Sequence, residues 1–515
     1  MVSINDPLFA SQWHFKWLGD IQKIWDDYTG AGVSVGVYDD GIQYTHPDLA
    51  ANYDATLSFS YGGVTYDPKP IALRGADSDA HGTSVAGLIA AVANNGIGGV
   101  GVAFGAKLTG VNLLSDPRLQ SDFMTHQAML HAVNFDIMSN SWGYTPYFLP
   151  FQNASDTTST SAAIIRDYAN AAQFGRGGLG TIVVQAAGND YSNAQADGIN
   201  TAKELISVAA LTTDGSVQAY SNYGANILVA APAASVTTDL AGNNGYNSAT
   251  GLAGNYQTTF GGTSAASPPI SGVVALMLEA NPALGWRDVK EILATSAKMT
   301  GSVAGGPNTF ETTGTDFQVI DRLVGGVLTR SSDSWNDGGH AVSWDYGFGR
   351  VDAYAAVRLA EVWGLLNGPA HTSANELTYT GSNISVTNLI YSAKSGAATS
   401  TVTVPGHLSI EYIALTVNLD FQAASAVADG LSLNLIAPGG SVFALVGGGD
   451  LYYSDISNSF TWKFGISHAL GMDANGTWTV QLLDAAGASL HHTGSINSVS
   501  LEFSGAAFDT NNIHH

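Results

Sequence analysis

Three short segments of this 515-residue chain hold residue types that together can do nucleophilic chemistry. Ser264 stands in Gly-Gly-Thr-Ser-Ala-Ala-Ser-Pro-Pro, residues 261–269, just ahead of an apolar helical stretch. His81 opens His-Gly-Thr-Ser-Val-Ala-Gly at 81–87, and Asp39 ends Val-Tyr-Asp at 37–39. An acid, a histidine and a serine in that chain order are the ingredients of acyl transfer. Each has a plainer explanation when taken alone. Ser264 is an N-cap, Asp39-Asp40-Gly41 is a turn, and His81 is a helix-entry residue. Asn189 ends Val-Val-Gln-Ala-Ala-Gly-Asn at 183–189 and reads singly as a turn residue. Its amide can also donate to a developing oxyanion, a contribution of about 3–4 kcal/mol in comparable sites.

The elements that must position these residues are legible as periodicity. Residues 31–300 alternate apolar runs with helical stretches, which predicts βαβ units and a parallel sheet. Strands are expected at Val33–Val37, Leu108–Leu113, Thr181–Val184 and Leu205–Ala210. Helices are expected at Gly82–Val92, Ile164–Ala171, Gly272–Ala280, Trp286–Thr295 and Val351–Val362. Asp39 then sits at the C-terminal end of a buried strand, where α/β sites form. Residues 296–345 are rich in Gly, Thr, Ser and Asp and read as loops.

The pattern changes near Leu366-Asn367-Gly368-Pro369. Beyond it Ile413, Leu415, Val417, Leu419 and Phe421 alternate with Ala414, Thr416, Asn418 and Asp420, the period of a half-buried strand. Leu431–Leu435, Thr477–Leu483 and Val499–Phe503 continue in that style. The expected architecture is an α/β domain over 1–365, an antiparallel β-sandwich over 366–506 and a tail over 507–515.

Composition excludes several classes. The net charge is −24, from 42 acidic against 18 basic residues. Nucleic acid is therefore an unsuitable partner, since phosphates need a basic face. Cys is absent, so neither disulfides nor thiolate metal sites form. No apolar run approaches the length of a membrane span. The first residues, Met-Val-Ser-Ile-Asn-Asp, are no signal peptide. If the protein is exported, its leader was trimmed or another route serves.

Taken together, the segments resemble the subtilisin-like serine proteases, in which Asp, His and Ser occur in this order. Ser-Asn-Ser-Trp-Gly at 139–143 looks like the family's substrate-pairing strand. Ala-Val-Ala-Asn-Asn-Gly at 91–96, Leu-Glu-Ala-Asn-Pro at 278–282 and Trp-Asp-Tyr-Gly-Phe-Gly at 344–349 resemble the kexin/furin-like convertase branch. The second domain is similar to their P domain, through Val-Asn-Leu at 417–419, Ala-Pro-Gly-Gly at 437–440 and Gly-Thr-Trp-Thr-Val at 476–480. The resemblance implies a secreted, bacterial, calcium-dependent endopeptidase acting on polypeptides. Ser264 is then the nucleophile, His81 the base and then the acid, Asp39 its orienter, and Asn189 the oxyanion donor. Ser141, Trp142 and Gly143 line the substrate. The resemblance also implies one calcium ion (Ca2+) held by Asp6 and Asp48 with the loop carrying Val92, Asn95, Ile97 and Gly99, all oxygen ligands of the kind calcium takes.

The family pattern is incomplete. Acids expected after Ser-Trp-Gly are replaced by Tyr144-Thr145-Pro146, and one expected after Tyr220-Ser221 is Asn222. A second calcium site is not expected. Asp197, Asp40, Asp77 and Asp79 remain as acids for a cationic side chain. A single buried carboxylate can select Lys or Arg, because an unpaired charge there is costly. Cleavage after basic residues is the expectation, and broad specificity is the alternative. Two other classes compete: a silent binding protein, and a sandwich that binds carbohydrate on Trp462 and Trp478. An inhibitory propeptide or a separate chaperone would assist folding.

Overall fold

The computed structural model describes residues 2–72, 78–299, 323–324, 327–328, 334–383, 398–422, 431–447, 450, 459–484 and 493–508. Asp77, most of the expected loop region 296–345 and residues 509–515 of the expected tail lie outside them. The first half builds a six-stranded, wholly parallel sheet. Its strands are β1 (Ser34–Asp39), β2 (Lys107–Asn112), β3 (Ile137–Asn140), β4 (Ile182–Ala186), β5 (Leu205–Leu211) and β6 (Val229–Pro232), in the order β2-β1-β3-β4-β5-β6. Strands β3, β4, β5 and β6 are buried at every residue. This is the expected state of a parallel sheet covered by helices on both faces.

Five helices matter for the site: α1 (His81–Ala90), α2 (Thr160–Phe174), α3 (Thr263–Ala280), α4 (Trp286–Ser296) and α5 (Ala353–Asn367). The predicted face of α4 is the buried one, with Trp286, Val289, Ile292 and Leu293 all inside. The antiparallel pair β7 (Ser235–Thr238) and β8 (Tyr256–Phe260) runs beside α1. Thr237 and Thr238 hydroxyls donate to Ser84 O and Thr83 O at 2.7 and 2.6 Å. A Cβ on Gly87 would strike Thr238 Oγ1, so only glycine allows this approach.

The sheet order reverses between β1 and β3. The chain goes from β1 to β2 on one side, then crosses to β3 on the other. Such a switch point leaves a crevice beyond the strands' carboxyl ends. Asp39 ends β1, and Ser141 follows β3.

The C-terminal part is two packed antiparallel sheets. One has the order β9 (Leu377–Asn383), β16 (Thr493–Ala506), β11 (Ser409–Gln422), β14 (Ser459–Ile466). The other runs β10 (Ala398–Val404), β15 (Gly476–Asp484), β12 (Leu431–Ile436), β13 (Val442–Val446). Ile413, Leu415, Val417 and Leu419 face the core, as their spacing predicts. Trp462 and Trp478 are 1% and 0% exposed. Both are core residues, and neither is a surface platform for a sugar.

The two halves share one apolar cluster. Phe148, Ala196, Tyr223, Ala225 and Trp344 of the first pack among the sandwich residues. Arg287 on α4 also makes a two-pronged pair with Glu411 on β11, its Nε donating to Glu411 Oε2 at 2.6 Å.

Candidate active site

His81 and Asp39 meet at the crevice. The His81 ring nitrogen Nδ1 bonds Asp39 Oδ1 at 2.8 Å, and the same oxygen accepts from Asp40 N–H at 2.8 Å. Asp39 is 1% exposed, and its second oxygen is buried without a hydrogen-bond partner. Burial works against protonation of His81, but the charge and hydrogen bond of Asp39, aided by Asp40, prevail and raise its pKa. Nδ1 engaged with a carboxylate leaves Nε2 as the nitrogen available to a substrate or nucleophile.

Asp40 was expected to contact substrate. Its two oxygens accept from Gly82 N–H at 2.7 Å and His81 N–H at 3.1 Å. It thus satisfies orphan donors at the start of α1 and fixes the helix that carries His81. Burial and the neighbouring Asp39 push its pKa up to about 8. A Cβ on Gly82 would meet Gly41 O and Asp39 Cβ, so glycine is what lets α1 sit this close to β1. Asp79 likewise organises its loop, accepting from Ile71 and Ala72 N–H groups and from the Ser115 hydroxyl.

Ser264 is the second residue of α3, which begins at Thr263, nine residues before the predicted start at Gly272. The helix runs through Pro268 and Pro269. Pro268 has no N–H, so Ser264 C=O lacks its usual helical donor. Ser141 Oγ supplies one at 3.2 Å and also bonds Ser267 Oγ at 2.9 Å. The Ser264 hydroxyl donates to Ser141 O at 3.0 Å. Phe260, four residues before Ser264, places its ring edge-on to His81 with centroids 5.2 Å apart. The serine and histidine segments therefore flank one crevice. Catalytic hydrogen bonds commonly tighten only once substrate is bound.

Asn189 follows β4 and faces α3. Its amide oxygen accepts from Thr263 N–H at 2.7 Å and from Thr263 Oγ1 at 3.0 Å. With the oxygen anchored, the NH2 group is the part of the amide left to donate. Thr263 also accepts from Gly188 N–H at 3.0 Å, and Tyr220 OH accepts from Gly262 N–H at 3.0 Å. Sequence reasoning missed Thr263 and Tyr220. Both act through backbone groups of other segments, so no local pattern marks them.

Ser141, Trp142 and Gly143 run alongside Asp197. Asp197 is buried and accepts from Tyr144 N–H at 2.9 Å, Ile199 N–H at 3.3 Å and Asn200 Nδ2 at 3.4 Å. A Cβ on Gly143 would lie 2.8 Å from Asp197 Oδ2. Burial pushes the Asp197 pKa up to about 7. Trp142 O is held by the Gln185 side chain. Asn222, where an acid was expected, accepts from Asp190 and Ser192 N–H groups at 2.9 and 3.0 Å and donates to Ala187 O at 3.0 Å. A carboxylate cannot make that donation, so the amide is fitted to pinning the loop that carries Asn189.

The predicted calcium ligands also converge. Asp6 accepts from Asn94 N–H at 2.6 Å and Asn95 N–H at 3.2 Å, and Asn95 Nδ2 donates to Asp48 Oδ1 at 2.8 Å. Val92 N–H donates to Asp48 O, and Ile97 N–H to Asn95 Oδ1. Asp48 Oδ2 is buried without a hydrogen-bond partner, and burial pushes this carboxyl up to about 7. Among the described residues, the carbonyls of Val92, Ile97 and Gly99 accept no backbone hydrogen bond. Two acids and spare oxygens around an orphaned carboxylate oxygen fit a hard cation.

A buried Asp-His pair at a switch point, a serine opening a helix and an anchored amide beside that helix sit together on a parallel α/β fold. Residues 30–349 match the subtilase family, described as Peptidase S8, and residues 410–503 match the proprotein convertase P-domain. The chain belongs to the subtilase family of serine proteases, in the kexin/furin-like branch. Human neuroendocrine convertase 2 is 29% identical over 506 residues, covering 93% of this chain and 71% of its own length. Rat furin is 29% identical over 505 residues, 95% of this chain and 57% of its own length. A crystal structure of a serine protease of Aeromonas sobria shares the fold, with a TM-score of 0.78 at 24% identity over 98% of this chain and 96% of that one. The same protease in complex with a chaperone gives 0.80 at 23%, over 99% and 96%. No helix among the described residues is long and apolar enough to cross a membrane.

His81 should titrate above the ordinary histidine value of 6.5. Asp39→Asn removes the charge that raises it, so the pKa in that variant should fall below that of the wild type. Histidine side-chain NMR over a pH series reads both values, and equal pKa values would contradict the electrostatic account.

Proposed function

We propose that the protein is a calcium-dependent endopeptidase in which Ser264 attacks the peptide carbonyl. His81 takes the Ser264 proton through Nε2 and returns it to the leaving amine, while Asp39 holds the ring and stabilises its cationic form. Asn189 Nδ2, with the Ser264 backbone N–H, stabilises the oxyanion. The observation that carries this reading is the 2.8 Å bond between His81 and a carboxylate with almost no solvent contact. His126 makes a similar 2.7 Å pair with the buried Asp167, so it is the place of His81 and Asp39 at the sheet's switch point, beside the segment that leads to Ser264, that favours catalysis.

The division of labour follows the same reading. The peptidase domain spans 1–365, the P domain 366–506 and the tail 507–515. Polypeptides lie along Ser141–Gly143, and Asp197 receives a Lys or Arg side chain preceding the scissile bond. The buried Asp197 carboxylate has a raised pKa, so a cationic side chain would draw it back to the charged form. Asp6, Asp48, Asn95 and the carbonyls of Val92, Ile97 and Gly99 hold calcium, which braces the loop after α1. Secretion, and folding assisted by a propeptide or a chaperone, belong to the reading by likeness to the family. The chaperone complex of the Aeromonas protease is the precedent for assisted folding.

Ser264→Ala should lower kcat by about 10⁶-fold while circular dichroism stays unchanged, and undiminished turnover would overturn the assignment. Profiling on a peptide library should show cuts after Lys and Arg, and Asp197→Asn should erase that preference. An even profile in the wild type would favour broad specificity. Calcium at a thousandfold excess over its Kd should stabilise the fold by about 4 kcal/mol. A melting temperature indifferent to a chelator would remove the ion from the account.

A further inference from the structure

Asp197 lies between two walls. One is the segment 141–153, whose Tyr144 N–H it accepts, and the other is the loop 187–201 that carries Asp197 itself and Asn189. Both walls touch one residue of the sandwich. Trp462 on β14 donates its Nε1–H to Gln195 O at 2.9 Å, two residues before Asp197. Its ring packs edge-on against Phe148, with centroids 5.0 Å apart.

Each wall is committed to that contact. Phe148 is 3% exposed and adopts φ +52°, a left-handed conformation that side-chain-bearing residues rarely take. The strain is tolerated because the ring is buried in the sandwich core. Asn153 Nδ2 adds a bond to Thr461 O at 2.8 Å, next to Trp462. On the other wall Gln195 is fully buried, and its Oε1 accepts from Gly465 N–H at 2.7 Å. Asn193 Nδ2 reaches Leu445 O at 2.6 Å. The Asn193 and Gln195 side chains thus reach into the sandwich.

We propose that Trp462 of the C-terminal sandwich is a positioning residue for the specificity pocket, fixing the separation of the walls that enclose Asp197. It touches no substrate. Its indole sets the height of the Gln195 carbonyl, hence of the Asp197 turn, and its ring sets the path of 144–148 after the substrate-pairing strand. The sandwich is therefore part of the pocket's frame. This rests on the reading of Asp197 as the specificity acid.

Trp462→Phe tests it, since the smaller ring still packs on Phe148 while the donor to Gln195 is deleted. Phe148→Leu is the second variant, relaxing the other contact. Both are measured in the full chain, with rates normalised to sites titrated by a fluorophosphonate. The proposal predicts that KM for the residue the wild type prefers before the scissile bond rises by about 10-fold, as small misplacements do. It also predicts that kcat changes less and that the selectivity profile flattens in at least one variant. Lower thermal stability and fewer titrated sites, with the per-site profile within twofold of wild type in every variant that folds, would overturn it. Failure of both variants to fold would overturn it too, since Trp462 would then be core and nothing more. The underlying reading fails separately, through a wild-type profile with no basic preference, and the comparison of profiles still stands in that case.

Discussion

The structure depends on one buried charge. Asp39 sits at the end of a strand inside the sheet, almost sealed from water. A carboxylate there is costly unless it is paired and hydrogen-bonded. Its partners are the Asp40 amide and the His81 ring. Everything needed to deliver that ring follows: Gly82 to let α1 approach, Asp40 to anchor the helix start, and Thr237 and Thr238 to clamp its flank. The same constraint makes His81 more basic, so the interaction that stabilises the site also suits it to taking a proton.

Ser264 is placed by a different device. Pro268 removes a helical donor from Ser264 C=O, and Ser141 fills the gap. One hydroxyl on the strand end thereby ties α3 to the substrate-pairing segment. Thr263 ties the same helix start to Asn189. Ser264, Asn189 and the strand end at Ser141 are thus fastened within two residues of one helix end.

Much of this was legible in the sequence, and the misses have physical causes. Strand runs such as Leu205–Ala210 were readable because burial on both faces forces a continuous apolar composition. The triad candidates were readable because their motifs carry unusual small residues. The start of α3 was not, since Ser264-Ala-Ala-Ser-Pro-Pro reads as a breaker, whereas the prolines fall where Ser141 replaces the missing contact. The helix-anchoring part played by Asp40 left no local signal. Its partners are N–H groups 41 and 42 residues away. Asn222 stands where the family pattern has an acid, and its amide donates where a carboxylate could not. Contacts between the halves, such as Arg287 with Glu411 and Phe148 with Trp462, join residues more than a hundred positions apart and leave no periodic trace.

The central claim is that Ser264, Asn189 and the Asp39–His81 pair act on one carbonyl. The most direct measurement is a crystal structure of the full chain after reaction with a peptidyl phosphonate. The account predicts phosphorus bonded to Ser264 Oγ, a phosphoryl oxygen within about 3 Å of Asn189 Nδ2, and His81 Nε2 facing the leaving-group side. An adduct on another residue, or a phosphoryl oxygen turned away from Asn189, would contradict it.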